Sequence, residues 1–186
     1  MNILILGGYG FIGSSISQRL HKEGHNIFIV DNLSNKESAK LDFKHVFYEF
    51  DVTDEKLEEV FRLNNIDVAL HFASSQVETE EQSKHNMLGI INLLAYAKKY
   101  SVNQIIGGFS AWYSDAAKLL SFAGENVTTH ASLEKSYPLS AVSYCQSYAK
   151  LHNMNIVPFF LSNVYGPKQS SGVFKTFCEK IVQDKP

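Results

Sequence analysis

Three glycines, Gly7, Gly10 and Gly13, stand at three-residue spacing near the start of the chain. Ahead of them runs a short continuous apolar stretch, Ile3–Leu6, and behind them Phe11–Lys22 carries apolar residues at helical spacing. A glycine-rich turn between a strand and a helix can hold a pyrophosphate. One glycine permits the tight turn, one lets the backbone approach the phosphates, and one lets helix pack closely on strand. The first turn of the helix then offers free N–H groups and a partial positive charge to the anion. The same residues could form an ordinary tight turn with no ligand, but the placement between strand and helix is the context that phosphate binding requires.

Asp31 supplies a second chemical element. It ends the next apolar β-rich run, Ile27–Val30, eighteen residues after Gly13. A carboxylate there can accept hydrogen bonds from both hydroxyls of an adenosine ribose and would repel a 2′-phosphate, which favours NAD over NADP. The plainer alternative is a strand-end Asp capping the following turn, a role Asn32 and Ser34 could share. Asp51-Val52 follows a third run, Val46–Phe50, where it could meet an adenine edge or simply cap a helix.

These residues need a scaffold, and the rest of the chain supplies one. A helix is expected over Asp54–Leu63 with Thr53 or Asp54 as N-cap, a strand over Val68–Ala73, and a long helix over Lys84–Tyr100 with Leu88, Ile91, Leu94 and Ala95 on one face. Strands follow at Gln104–Gly107 and Ile156–Leu161, and a last helix at Val173–Gln183. Gly24 stops the first helix, because glycine tolerates the positive φ of a C-cap. Strands that are apolar throughout are buried on both faces, as parallel strands are. Strand–helix alternation then predicts a doubly wound α/β parallel sheet with right-handed crossovers. Asp115–Pro138 fits helix and loop equally.

Composition narrows the function classes. The chain has 186 residues, 45% hydrophobic and 19% charged, enough for one domain with a sizeable core. Its 17 Lys+Arg against 19 Asp+Glu argue against binding nucleic acid by phosphate neutralisation. No apolar run approaches the roughly 18 residues of a membrane span. The apolar start is too short for a signal peptide and lacks a basic lead-in. Two cysteines, Cys145 and Cys178, do not make a disulfide framework, so a reduced, cytoplasmic protein is expected. His21 and His25 have the spacing of two metal ligands but no third in view; a solvated helix end is expected and no metal site. Tyr148 and His152 share a helix face, where packing is the simpler reading than an acid/base pair.

Together the segments Gly7–Ser14, Val30–Asn35, Asp51-Val52, Asp67–Ala73, Asn86–Gly89 with Asn92–Leu94, and Asn163–Pro167 resemble, in order, the extended short-chain dehydrogenase/reductase family. Within it the likeness is to NAD-dependent nucleotide-sugar epimerases and dehydratases, UDP-glucose 4-epimerase-like members above all. The resemblance implies a Rossmann-type NAD-binding domain over residues 1–186, with about 164–186 opening the substrate-side region and the small C-terminal substrate domain largely absent. It implies that Gly7, Tyr9, Gly10, Phe11, Ile12 and Gly13 form the pyrophosphate loop, that Asp31, Asn32 and Ser34 hold the adenosine ribose, and that Asp51 and Val52 flank adenine. Phe72, Ala73 and Ser74 would line the dinucleotide further on, Asn86 would buttress its nicotinamide half, and Asn163 would face a nucleotide sugar. It also implies a homodimer through the 84–100 helix.

The chain departs from the family where the chemistry is done. Family enzymes use a Tyr with a Lys four residues on, about 6 Å along a helix, and a Ser or Thr after the fifth strand. No Tyr-x-x-x-Lys occurs here: Tyr137 is followed at that spacing by Ala141, Tyr144 by Tyr148, and Tyr148 by His152. Counting forward from Tyr113 and back from Asn163 both put the Tyr position at Glu134, which puts the Lys at Pro138 and the hydroxyl residue at Phe109. Ser110 could replace the hydroxyl with a slip of one residue, and Tyr137 the phenol with a slip of three. Because proline disrupts a helix interior, the helix in question is expected to start at about Leu139. The expectation is an NAD-binding, epimerase-like protein that is catalytically degraded. The alternative is an active enzyme with a relocated acid/base, such as Tyr137 or Glu134, and Ser110 as its hydroxyl residue.

Overall fold

A computed structural model gives the fold, and the structure describes residues 1–35, 40–75, 79–110, 133–167, 169 and 173–183. The elements are β1 (Asn2–Leu6), α1 (Phe11–Lys22), β2 (Asn26–Asp31), β3 (Val46–Glu49), α2 (Leu57–Leu63), β4 (Val68–His71), α3 (Glu80–Lys99), β5 (Gln104–Ser110), α4 (Leu133–His152), β6 (Asn155–Leu161) and α5 (Val173–Val182). The six strands form one sheet in the order β3-β2-β1-β4-β5-β6. Every pairing is parallel; Ile3, for example, lies opposite Ile27 on one side and Val68 on the other. This is the expected doubly wound α/β sheet.

Alternate residues of each strand point to opposite faces, and here both faces are dry. Leu4, Leu6, Val30, Ala69 and Ile105 enter one core with residues of α2, α3 and α4. Ile3, Ile5, Ile27, Ile29, Val68 and Leu70 enter the other, covered by Ile16 and Leu20 of α1 and by Leu41, Phe43 and Phe47. The unbroken apolar strands in the sequence follow from this double burial. His21 is not a solvated helix end: its ring stacks on Phe43 at 4.6 Å between centroids, which extends this second cover. Tyr148 and His152 meet edge to face at 4.3 Å, a packing contact.

Three helices start elsewhere than the sequence reading expects. α2 begins at Leu57, not Asp54; Asp54 instead uses its carboxylate to accept the Lys56 N–H, closing a turn just ahead of the helix. α3 begins at Glu80, ahead of the expected Lys84. Thr79 and Gln82 form a reciprocal capping box, and Glu80 and Glu81 lie at the positive end of the helix. α4 begins at Leu133 with Pro138 inside it, which corrects the start expected at Leu139. As its sixth residue, Pro138 forgoes one helical hydrogen bond, the one its N–H would give to the Glu134 carbonyl. Pro138 and the preceding Tyr137 are both buried, so tertiary packing offsets the lost bond.

Candidate functional site

A cleft of about 320 Å³ opens at the carboxyl ends of β1 and β4, beside the point where the strand order reverses. Ligands of open α/β sheets bind at such switch points. Of the residues singled out in the sequence, Gly7, Gly10, Phe11, Ile12, Gly13, Asp31, Asn32, Ser34, Asp51, Val52, Phe72, Ala73, Ser74 and Asn86 line it. They come from five separate stretches of chain, brought together by the parallel sheet.

The glycine turn has the geometry its sequence required. Gly7 has φ +79°, a conformation that favours glycine, and its N–H donates to the Val30 carbonyl at 2.8 Å. A Cβ on Gly13 would lie 2.1 Å from the Gly7 oxygen, so only glycine lets α1 approach β1 this closely. Gly10 is the N-cap of α1, with no side chain capping the helix and no acidic residue in its first turn. The positive end of the helix dipole therefore meets the cleft uncompensated.

Asp31 is held by the same turn. Its Oδ2 accepts from the Tyr9 N–H and its Oδ1 from the Leu33 N–H, both at 2.9 Å. Leu33 has φ +51°, a left-handed conformation costly for a side chain with a Cβ. Tyr9 itself is turned away: its ring packs on Phe47 at 4.7 Å and its hydroxyl meets His45 Nε2 at 2.9 Å. His45 Nδ1 lies 2.7 Å from the Phe43 carbonyl, which only accepts, so Nδ1 carries the proton and Nε2 accepts from Tyr9. Burial, and then the Asp31 carboxylate, push the Tyr9 phenol above its ordinary range.

Asp51 accepts the Thr53 N–H at 2.9 Å and hydroxyl at 2.8 Å on Oδ1, and the Asn32 amide at 2.6 Å on Oδ2. Asn86 is buried and satisfied: its Oδ1 accepts the Ser75 N–H at 3.0 Å and hydroxyl at 3.2 Å, and its amide donates to the Ser75 carbonyl at 2.9 Å. Three lining residues escaped the sequence reading, Asn35, Ser75 and His85. Each adjoins or lies near a residue that was identified, and that adjacency was the available signal.

Of the three residues expected to do acid/base chemistry, Tyr137 alone has a described side chain. Tyr137 is 7% exposed, within the core cluster that includes Ala141, Val142, Cys145 and Met154. Burial, and then the neighbouring Cys145 thiol, hold its phenol well above the ordinary tyrosine range. Ser110 is the last residue of β5 and Glu134 the second of α4; their side chains lie outside the described residues, as does Tyr113. Asn163 is exposed just past β6. The same segment returns toward the cleft, since the Cβ position of Gly166 is 3.5 Å from the Phe11 ring.

A parallel sheet of this order, with a glycine turn and a strand-end acid at its switch point, defines a dinucleotide-binding class of protein. The chain belongs to the NAD dependent epimerase/dehydratase family, whose model matches residues 3–186. NAD is thus the cofactor of its family. A Methanocaldococcus jannaschii protein carrying the provisional name UDP-glucose 4-epimerase is 26% identical, over 98% of this chain and 64% of its own. The structure is similar to that of Thermotoga maritima UDP-glucose 4-epimerase solved with UDP-glucose, with TM-score 0.81 and 27% identity over 100% of this chain and 64% of that one. It is similar also to the Thermus thermophilus UDP-glucose 4-epimerase solved with NAD, with TM-score 0.82 and 25% identity over 100% and 64%. The chain thus spans less than two thirds of the length of these relatives.

Proposed function

We propose that this chain binds NAD in the cleft and is a nucleotide-sugar epimerase/dehydratase-like protein whose acid/base site is degraded. The residues present fit the cofactor. Gly7, Gly10 and Gly13 leave room for a pyrophosphate against an uncapped helix end. Asp31 would take the adenosine ribose hydroxyls, with Asn32 and Ser34 beside it, and Asp51 and Val52 would flank the adenine. Phe11, Ile12, Phe72, Ala73 and Ser74 would wall the dinucleotide, with Tyr9 contributing backbone to the loop, and Asn86 would brace the nicotinamide side through Ser75. When bound, NAD would supply the acceptor for a hydride from the sugar carbon that bears the hydroxyl, whose proton goes to a base.

The observation that carries the degraded reading is the burial of Tyr137, the nearest tyrosine to the family's catalytic position. A phenol held above its ordinary pKa inside the core is a poor base for a sugar hydroxyl, and no Lys follows it one helical turn on. Glu134 is a far weaker base than a phenolate unless buried.

The partner is a nucleotide sugar, with Asn163 and the segment of about 164–186 on its side of the cleft and residues 1–186 as one NAD-binding domain. The chain forms a homodimer through α3 and works in a reducing, cytoplasmic setting, in keeping with free Cys145 and Cys178. Among the described residues no helix is long and apolar enough to cross a membrane. Calorimetric titration with NAD and NADP, alongside a UDP-hexose turnover assay, tests the reading. Micromolar NAD binding with no turnover supports it; no NAD binding refutes it.

A further inference from the structure

His85 lines the cleft from α3, and its Nε2 lies 2.8 Å from Asp51 Oδ1. A carboxylate at this contact accepts, so Nε2 carries a hydrogen and donates. Asp51 therefore gathers donors from three parts of the chain: Asn32 after β2, Thr53 before α2, and His85 on α3. His85 ties the start of α3 to this wall, and Asn92, two turns on, donates to the Thr53 carbonyl at 3.1 Å. The next residue, Asn86, grips Ser75 beyond β4. In the sheet, β3 and β4 lie on opposite sides of β2 and β1. Two consecutive residues of one helix thus hold opposite walls: His85 the wall after β3, Asn86 the wall after β4.

We propose that His85 is a positioning residue for the adenosine half of the bound dinucleotide. It fixes the Asp51 carboxylate, and through Asn32 the loop that follows Asp31. The inference rests on the NAD reading above. The contact is a hydrogen bond between side chains that are 37% and 28% exposed in the cleft wall. Without His85 the carboxylate keeps donors from its own side of the cleft alone, and α3 stays joined to that wall through Asn92 and Thr53 but no longer through the carboxylate. Adenine and ribose would then meet groups that must be ordered at the moment of binding, which costs affinity.

The test is calorimetric titration of the full chain with NAD and with adenosine diphosphate, for the wild type, H85A, H85Q, D51N and the H85A/D51N double variant. H85L fills the space without a donor and serves in place of H85A should the alanine variant unfold. The expected result is that H85A weakens both ligands by the same factor, about tenfold. H85Q, whose amide can still donate to Asp51, regains most of the affinity, and the double variant binds no more weakly than D51N alone. The melting temperature without ligand stays within a few degrees of the wild type. Wild-type binding with no change in H85A overturns the role of His85 and leaves the NAD reading standing. Additive losses in the double variant, or a NAD loss much larger than the adenosine diphosphate loss, also overturn it. A wild-type chain that binds neither ligand overturns both.

Discussion

Asp31 shows how much one carboxylate can be asked to do. It already holds the Tyr9 and Leu33 N–H groups, so it shapes the glycine turn and the strained Leu33 as well as facing the proposed ribose. Asp31→Ala is expected to weaken NAD by about 1.5–3 kcal/mol for each charge-assisted hydrogen bond lost to the ribose, measured by titration; tight NADP binding with no NAD binding would refute the assignment. His71 is a different kind of residue. It is 3% exposed at the end of β4, and neither ring nitrogen has a hydrogen-bond partner among the described residues. Burial lowers its pKa from 6.5 to about 4. The unfolded chain therefore takes up this proton first on acidification. The contribution of neutral His71 is fully present above pH 6.5 and is lost as pH falls from there through about 4. The loss amounts to roughly 3 kcal/mol by linkage. Denaturant unfolding from pH 7 to pH 4 should show this fall, and His71→Leu should flatten it; an unchanged slope in the variant would refute the account.

At the scale of elements, α3 is the helix with most to do. Ile90, Leu93, Leu94 and Ala97 face the core, and Gly89 approaches Val52, whose Cγ2 is 2.7 Å from its Cβ position. The stripe expected from sequence is split by this packing. Leu94 is core, Ile91 is half-buried, and Leu88, 45% exposed, and Ala95 face outward. An outward apolar strip on a helix already packed on α2 and α4 is what a two-fold helix interface uses. Light scattering at tens of micromolar is expected to give a homodimer, and Leu88→Asp a monomer. A wild-type monomer would remove the proposal.

At the scale of the whole molecule, the proposed cofactor residues and Tyr137 lie in different surroundings. The cleft residues stand together at the switch point, while the nearest substitute for the catalytic phenol is in the core. Loss of a positioned acid/base typically lowers rate by about 10²–10⁴. The chain is expected to bind NAD yet epimerise or dehydrate UDP-hexoses at least that much more slowly than its relatives, in an assay that separates the sugar products. Robust turnover abolished by Tyr137→Phe or Glu134→Gln would instead restore an active enzyme with a relocated base.

The parallel sheet, the glycine turn and most of the cleft were legible in the sequence because they rest on local rules. Apolar runs mark doubly buried strands, Gly7 and Gly13 mark a backbone that no side chain can follow, and Asp31 stands at a strand end fixed by that pattern. Tertiary structure decided the rest. Pro138 sits inside α4 because Tyr137 and Pro138 are buried together, and packing outweighs one lost helical bond. Tyr9 belongs to the glycine loop by sequence, yet its ring turns to His45 and Phe47, which arrive from a distant segment. His85 gave no sign of its contact with Asp51, since the two residues are 34 apart in the chain. Such a pair meets only when β3 and α3 are set on the same sheet, because long-range side-chain contacts depend on strand order and helix placement, and no local pattern in the sequence encodes them.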